Sequence, residues 1–411
     1  MNGYFKKTII SFLIFFCLFL NGCGEKVREK KLIIWVTHNP EELKLFREIC
    51  KEWSEKTKFP IMVKRIPWGG HEAKIRSSLT IHANPDIARV DCSFVQELAR
   101  FNGVEPLNDY GFEEMFSKLN KAALKSNLVN GKYYGIPDQA TCLALFYNKK
   151  LLADKGVELP QKLDVNNFVE ILKKVTDKEQ GIYGIALEKS LWFHLPFFYC
   201  FGADLLDSTN RKFILSQKPG VEALQYLTDL YRVHKVEAGS WQAGSIGPEV
   251  GFLNQKYAFI LSGPWNLARF NSKKNFDYGV TLLPEGPGGK ATNIGGTNMV
   301  IFKKSPFKKE AAAFLKYFLS KEVQARWSSL LSQIPVNTEA NALVNFSKLP
   351  QLKVFLEQIQ FARARPQIMK NGKLFEAVEA ELEAAFKGDK GSEEALKAAR
   401  ANAEKKVPAL Q

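Results

Sequence analysis

Residues Leu32-Ile33-Ile34-Trp35-Val36 form an unbroken apolar run that predicts a strand. Asn39-Pro40-Glu41-Glu42 then supplies a helix cap, a proline at the first helical position and a glutamate at the third. Leu43, Phe46, Ile49, Cys50 and Trp53 follow at helical spacing, so strand, cap and helix open a βα unit. The pattern repeats with a strand at 61–66, a helix at 71–83 and a buried strand at 86–90 after Asn84-Pro85. Further strands are expected at 143–147, 183–187, 257–261, 277–283 and 298–302, with helices between them, the first at 149–155. Such alternation argues for a mostly parallel sheet in an α/β fold. The Pro- and Gly-rich stretch 284–289 reads as a surface turn or crossover. From Phe307 the chain is mainly helical, ending with helices at 374–386 and 393–405, and there is no internal repeat.

Ahead of this alternation lies a different apolar run, residues 8–20, preceded by Lys6 and Lys7 and ending in Leu20-Asn21-Gly22-Cys23. It is shorter than the roughly 20 residues that span a bilayer core. Basic residues, an apolar stretch and a small residue before the cut fit an export signal over residues 1–22. Leu-Asn-Gly-Cys resembles the lipobox of bacterial lipoproteins, which implies cleavage before Cys23 and a lipid on that cysteine. Residues 23–30 are polar and read as a tether. The protein is therefore expected outside the cytoplasm, anchored to a bacterial membrane on its periplasmic side or at the cell surface.

The remainder is long enough for about two domains. A 45% hydrophobic and 25% charged composition excludes disorder over most of it. The formal charge of +15 falls to +13 once the two signal-peptide lysines are removed. Those cations are spread over amphipathic helices as solvated faces. No block of five or six like charges and no nucleic-acid motif occurs, so no nucleic-acid partner is expected. Cys50, Cys92, Cys142 and Cys200 sit in apolar settings and read as buried free thiols.

Enzymatic motifs fail one by one. A phosphate loop around Glu285 to Lys290 lacks its first glycine, because position 284 is proline, and its hydroxyl, because position 291 is alanine. His38, His71, His82, His194 and His234 show no metal-ligand spacing, and there is no CxxC pair, so neither metal nor cofactor is expected. No GxSxG elbow is present. A glycosidase pair needs only two carboxylates about 5–10 Å apart in space, and nothing in the sequence singles out two.

Several short segments then occur in a meaningful order. They are Leu32-Ile33-Ile34-Trp35, Asn84-Pro85-Asp86-Ile87, Gly131-Lys132-Tyr133-Tyr134-Gly135-Ile136-Pro137, Phe146-Tyr147-Asn148-Lys149, Gly263-Pro264-Trp265, Gly295-Gly296-Thr297-Asn298 and Lys309-Glu310-Ala311-Ala312. Together they resemble the extracellular solute-binding proteins of ABC importers, of the carbohydrate-binding, maltose-binding-protein type. The resemblance implies a periplasmic-binding-protein-like fold of type II: two discontinuous α/β lobes joined by hinge crossings, closing on a ligand between them. The crossings are expected near 140–143, 292–295 and 332–336. Lobe one would then be 31–140 plus 293–332, and lobe two 141–292 plus 333–411.

A sugar presents hydroxyls that need hydrogen-bond partners and a C–H face that packs on an aromatic ring. By the resemblance, Trp265 matches the family's sugar-stacking tryptophan, Trp192 falls at a stacking aromatic when aligned through Pro196, and Phe375 matches another on the late helix. Trp68 and Trp241 lie in loops and read as exposed. Trp53 and Trp327 lie on amphipathic helices and are assigned to the core. Asn39 and Asp91 follow strands, at the carboxyl edge where open α/β sheets hold ligands, although Asn39 is also a helix cap. Asp138 and Gln139 flank the expected first crossing; Asn266 and Asn298 are weaker candidates. Val90 and Thr141 stand where the maltose-binding pattern carries an aromatic and a glutamate, so maltose itself is not the expected ligand. Arg363 and Arg365 could hold a carboxylate bidentately, which raises an acidic sugar; the alternative, which the sequence favours, is an internal salt bridge or a solvent-facing arginine. The expected activity is capture of a sugar or oligosaccharide, by a monomer without catalysis, for delivery to an ABC permease. The alternatives are an exported carbohydrate-active enzyme, or a binder of a polyamine, a phosphate ester or ferric iron.

Overall fold

Leu32, Ile34 and Val36 are fully buried because their strand lies inside a sheet covered on both sides. They join one core cluster with Phe46 and Met299, while Trp35 joins another with Ile66 and Val90. The architecture was obtained as a computed structural model that describes residues 29–407 and 410, apart from 82, 367, 369 and 370. The expected export signal, the lipidated Cys23 and the tether up to residue 28 lie outside the described residues. No described helix is long and apolar enough to cross a membrane.

The strands are β1 (Leu32–Val36), β2 (Ile61–Arg65), β3 (Ile87–Asp91), β4 (Leu128–Val129), β5 (Lys132–Tyr133), β6 (Ile136–Cys142), β7 (Ala144–Asn148), β8 (Tyr183–Ala186), β9 (Tyr257–Ser262), β10 (Tyr278–Thr281), β11 (Thr292–Ile301) and β12 (Ala362–Arg363). In the first sheet β2, β1 and β3 are parallel neighbours, β11 lies antiparallel beside β3, and β6 lies antiparallel on the other side of β11. The second sheet runs β10-β7-β9-β8, with only β8 and β9 parallel. A mostly parallel sheet was expected and both sheets are mixed. The reason is that β11 returns along the first sheet against the direction of β3 and β6, and β7 runs antiparallel to both β9 and β10 in the second. β4 and β5 form a hairpin whose turn residues, Asn130 and Gly131, both take positive φ.

Cys142 ends β6 in the first sheet, and after Leu143 the chain resumes as β7 in the second. β11 begins beside β12 at Thr292 and finishes beside β3 at Ile301. Ala140 also bridges Ile334, so a third segment lies against β6 at this level. The apolar core divides accordingly. One cluster draws on residues between Leu32 and Ala140 and between Met299 and Val336, the other on residues between Leu143 and Ala291 and between Ile368 and Leu410. The molecule is thus an α/β protein of two discontinuous lobes.

The helix Pro40–Thr57 shows how local sequence positions these elements. Asn39 Oδ1 accepts from the Glu42 amide at 2.8 Å, and the Glu42 carboxylate accepts from the Asn39 amide at 3.1 Å, a reciprocal cap. Phe46 and Trp53 then pack edge-on against Phe314, as expected for core positions. Trp327 is likewise buried, 1% exposed, and the four cysteines are free thiols, three of them buried.

Candidate functional site

The carboxyl ends of β1, β2 and β3 lie side by side and carry Asn39, the Trp68 turn and Asp91. Parallel strands present their last residues, amides and following loops on one edge, which makes that edge a natural binding surface. The second lobe faces it with Trp265, in the short turn Pro264–Asn266 after β9, and Trp192, in the first turn of the helix Leu191–Cys200. Both tryptophans are half-buried, with ring centroids 5.8 Å apart and planes inclined by 45°.

Contacts tie the two sides together. Asn39 Nδ2 donates to the Trp265 carbonyl at 3.1 Å, so one amide caps a helix with its oxygen and reaches the other lobe with its nitrogen. Arg365 NH2 donates to both Asp91 oxygens, at 2.8 and 3.0 Å, and lies 2.9 Å from Cys92 Sγ. Burial opposes the charge on Asp91, but Arg365 and two hydrogen bonds from Ser93 outweigh it, and the carboxyl sits below its ordinary value. That pairing is the salt-bridge alternative of the sequence reading. The Arg365 guanidinium is engaged by a carboxylate of the protein itself and is not an open receptor for an acidic sugar. Arg363 lies over the Tyr199 ring and donates to the Ala203 carbonyl.

The Trp192 ring rests on the crossing strand. A Cβ at Gly295 would meet Trp192 Cζ2 at 2.8 Å, and Asn293 Nδ2 donates to the Trp192 carbonyl at 2.7 Å. Along this strand three buried polar atoms have no partner among the described residues: Trp192 Nε1, Asn293 Oδ1 and Thr297 Oγ1. A buried unpaired polar group costs about 1–3 kcal/mol, and none of these three residues is among those lining the neighbouring cavity. Beside the strand opens a cavity of about 580 Å³, within the range of small-molecule sites. Lys125, Ser126 and Gln139 line it on one side, Asp204 and Asp207 on the other, and Gly295 and Arg365 between. The two indoles are not among its lining residues, and Gly295 is where cavity and indole pair meet.

The remaining sequence candidates are placed elsewhere or serve other ends. Trp241 was expected in an exposed loop and is 4% exposed, stacked on Phe386 with its Nε1 donating to Glu237 at 3.1 Å. That carboxylate, four residues earlier, satisfies the indole N–H and lets the ring enter the core. Asp138 is also withdrawn, ion-paired with Arg89 at 2.6 Å and 2% exposed. Gln139 accepts from Arg89 and donates to Gln333 and Glu42, so its amide braces the crossing from within. Burial would raise the Glu42 carboxyl, yet Arg89, His38 and Gln333 bring it down to about 2. Asn298 is buried against Asn127 and Ser126, and Asn266 against Ser262 and Glu249. Phe375 packs, half-buried, on the second lobe's core. Trp68 is exposed. Sequence reasoning missed Lys125, Ser126 and Asp204 in the cavity and Gln333 in the bracing network; nothing in their local pattern distinguishes them from ordinary surface or helix-end residues.

Comparison with known proteins agrees with this architecture. Residues 48–354 match the family model described as bacterial extracellular solute-binding protein. A maltotriose-binding protein of Pyrococcus abyssi is 22% identical over 367 residues, covering 88% of this chain and 78% of that one. An arabinooligosaccharide-binding protein of Bacillus subtilis is 27% identical over 347 residues, covering 76% of each chain. Among solved structures, the GacH receptor of Streptomyces glaucescens, determined unliganded and with acarbose, superposes with a TM-score of 0.83 at 25% identity, covering 92% of this chain and 98% of that one. With its family model matched over most of its length and its core divided between two lobes, this chain belongs to the bacterial extracellular solute-binding proteins.

Proposed function

We infer that this protein captures a sugar or short oligosaccharide between its lobes and hands it to an ABC permease, acting as a monomer and without turnover of the ligand. The observation that carries the reading is the half-buried Trp192–Trp265 pair beside unpartnered buried polar atoms on the crossing strand. Indole faces suit the C–H faces of a pyranose or furanose ring, and the orphaned donors and acceptors suit its hydroxyls. Oligosaccharide-binding relatives support the same class. In this reading Trp265 and Trp192 stack on the sugar, while Asn39, Asp91 and Gln139, engaged by partners within the protein, hold the surrounding edge in place. The hinge lies where β6, β11 and the 332–336 segment run together, between a lobe of 31–140 with 293–332 and a lobe of 141–292 with 333–411. The protein works outside the cytoplasm, held to a membrane by lipid on Cys23.

The test is calorimetric titration after a thermal-shift screen of mono- and oligosaccharides. A sugar at 100 times its dissociation constant adds about 2.7 kcal/mol of stability. Trp265→Ala should then lose at least about tenfold in affinity, about 1.4 kcal/mol, with an unchanged far-UV spectrum. Unchanged affinity removes Trp265 from the site, and a screen that responds to no sugar but to another solute class overturns the ligand assignment.

A further inference from the structure

The edge on which β1, β2 and β3 begin lies opposite the one that carries Asn39 and Asp91. β1 starts there at Leu32 beside Ile61 of β2, and antiparallel β11 ends there at Ile301 beside Ile87 of β3. The helices His71–Thr80 and Val95–Arg100 follow β2 and β3, so they run back to this edge, tied side by side by Arg76 and Glu97 at 2.5 Å. They end on Ile81, 71% exposed, and Phe101, 65% exposed, the two most exposed large apolar side chains among the described residues. A Cβ on Gly103 would stand 3.0 Å from Leu79 Cδ1, so the two helix ends are neighbours. Apolar side chains turned to water at adjoining helix ends mark an interaction surface.

Cations surround them. The Lys303 amide donates to the Gly103 carbonyl at 3.0 Å and its Nζ to Asn102 Oδ1 at 2.5 Å, which sets this lysine against the Phe101 turn. Arg100 and Lys304 are exposed next to it in sequence. Phe307 then packs edge-on against Phe59 at 5.3 Å and brings the exposed Lys58 to the same edge. The nearby carboxylates are withdrawn. Asp86 is fully buried, accepting from the Ile33 amide and the Ser305 hydroxyl, and Glu105 is held by Lys308.

Chain length adds an independent argument. Cleavage before Cys23 leaves residues 23–31 ahead of Leu32, a stretch that reaches at most about 30 Å when fully extended. A lipid on Cys23 therefore keeps the start of β1, and this edge with it, close to the bilayer surface. Two apolar side chains are too few for the roughly 1,200 Å² that a stable protein interface buries. They suit a headgroup layer, where apolar tips enter between lipids and the surrounding cations meet phosphates.

We propose that this edge of the first sheet, through Ile81, Phe101, Arg100, Lys303, Lys304 and Lys58, seats the tethered protein on an anionic phospholipid surface. The lipid anchor above is its premise, and the experiment separates the two. Seated so, the edge with Asn39 and Asp91 faces away from the bilayer, and the contact is a resting pose that is released for delivery. Screenable charges and two side chains keep it reversible. The full-length chain is matured in cells and purified, and mass spectrometry reads the lipid on Cys23. Amide hydrogen exchange is then followed on vesicles of phosphatidylcholine, alone or with an equal part of phosphatidylglycerol. Residues 80–81, 100–104 and 303–305 should exchange roughly threefold or more slowly on the anionic vesicles than on the neutral ones. Ile81→Ser with Phe101→Ser, and separately Lys303→Glu with Lys304→Glu, should remove that protection at an unchanged melting temperature, and molar salt should weaken it in the wild type. Equal exchange on both vesicles, or protection confined to other segments, overturns the seat even when Cys23 carries lipid. Protection of this edge without vesicles, rising with protein concentration, shows a contact between copies and overturns it too. Absence of lipid on Cys23 overturns the premise and the seat together.

Discussion

His194 lies in the helix Leu191–Cys200, which is buried almost all round, and its ring sits 5.6 Å from that of Phe386. Burial pushes the imidazole down to about 4, below its ordinary 6.5. Protons therefore bind the unfolded chain more tightly. The folded state keeps its full stability above pH 6.5 and loses it progressively as pH falls toward 4, by about 3 kcal/mol from this group. His38 is depressed by burial and by Arg89 and acts in the same direction. Urea unfolding at pH 7, 5.5 and 4.5 should show a falling midpoint, and His194→Leu should flatten that fall; an unaltered pH slope in the variant would contradict the assignment. Asn39 was legible as a cap from Asn-Pro-Glu-Glu alone, whereas its second bond, to a carbonyl 226 residues away, was not. Trp241 misled for the complementary reason: its neighbours Gly239 and Gly244 suggest an open loop, and only the partner carboxylate of Glu237 explains its burial.

Elements announced by apolar periodicity were legible, and their ends less so. β1 was read over its observed span, because five apolar residues in a row leave no other choice. β11 was read only from Asn298, though it begins at Thr292. Its first half crosses between sheets, where no single core lies on either face and Gly295-Gly296 carries no side chains to report a period. Those glycines have distinct duties. Gly296 has φ +134°, and a Cβ there would stand 2.0 Å from the backbone oxygen of Gln139; at Gly295 the obstacle is the Trp192 ring edge at 2.8 Å. A backbone oxygen in a strand pair cannot step aside, while an indole can tilt. Gly296→Ala should therefore destabilise the fold by about 1–3 kcal/mol or more, seen as a lowered melting temperature. Gly295→Ala should cost less stability and appear chiefly as altered sugar affinity. Equal melting temperatures for the two variants would mean that strain at Gly296 is relieved by a different route.

The whole molecule joins two lobes, each with its own apolar core. Buried ion pairs at the crossing, Arg89 with Asp138 and Arg365 with Asp91, join segments 49 and 274 residues apart. The net charge did not locate them, because most cations lie on solvated helix faces. At this scale the proposed lipid anchor can be tested directly. Cys23→Ser should shift the protein from the membrane pellet to the soluble fraction after cell lysis and block lipid labelling of the chain. Continued firm attachment would show that something other than Cys23 holds it.

Sequence alone determined the alternation of strands and helices, the caps that start them, the expectation of export and the resemblance that sets the fold class. All of these follow from local order, because backbone geometry converts a spacing of apolar residues into a buried face. Tertiary structure decided which tryptophans stay half-buried or exposed and which are sealed in a core, which carboxylates are consumed by internal cations, and that the sheets are mixed. Periodicity records that a side chain is buried without recording against what, and in this protein the partners of Trp265, Asp91 and Gln139 come from segments that folding alone brings together.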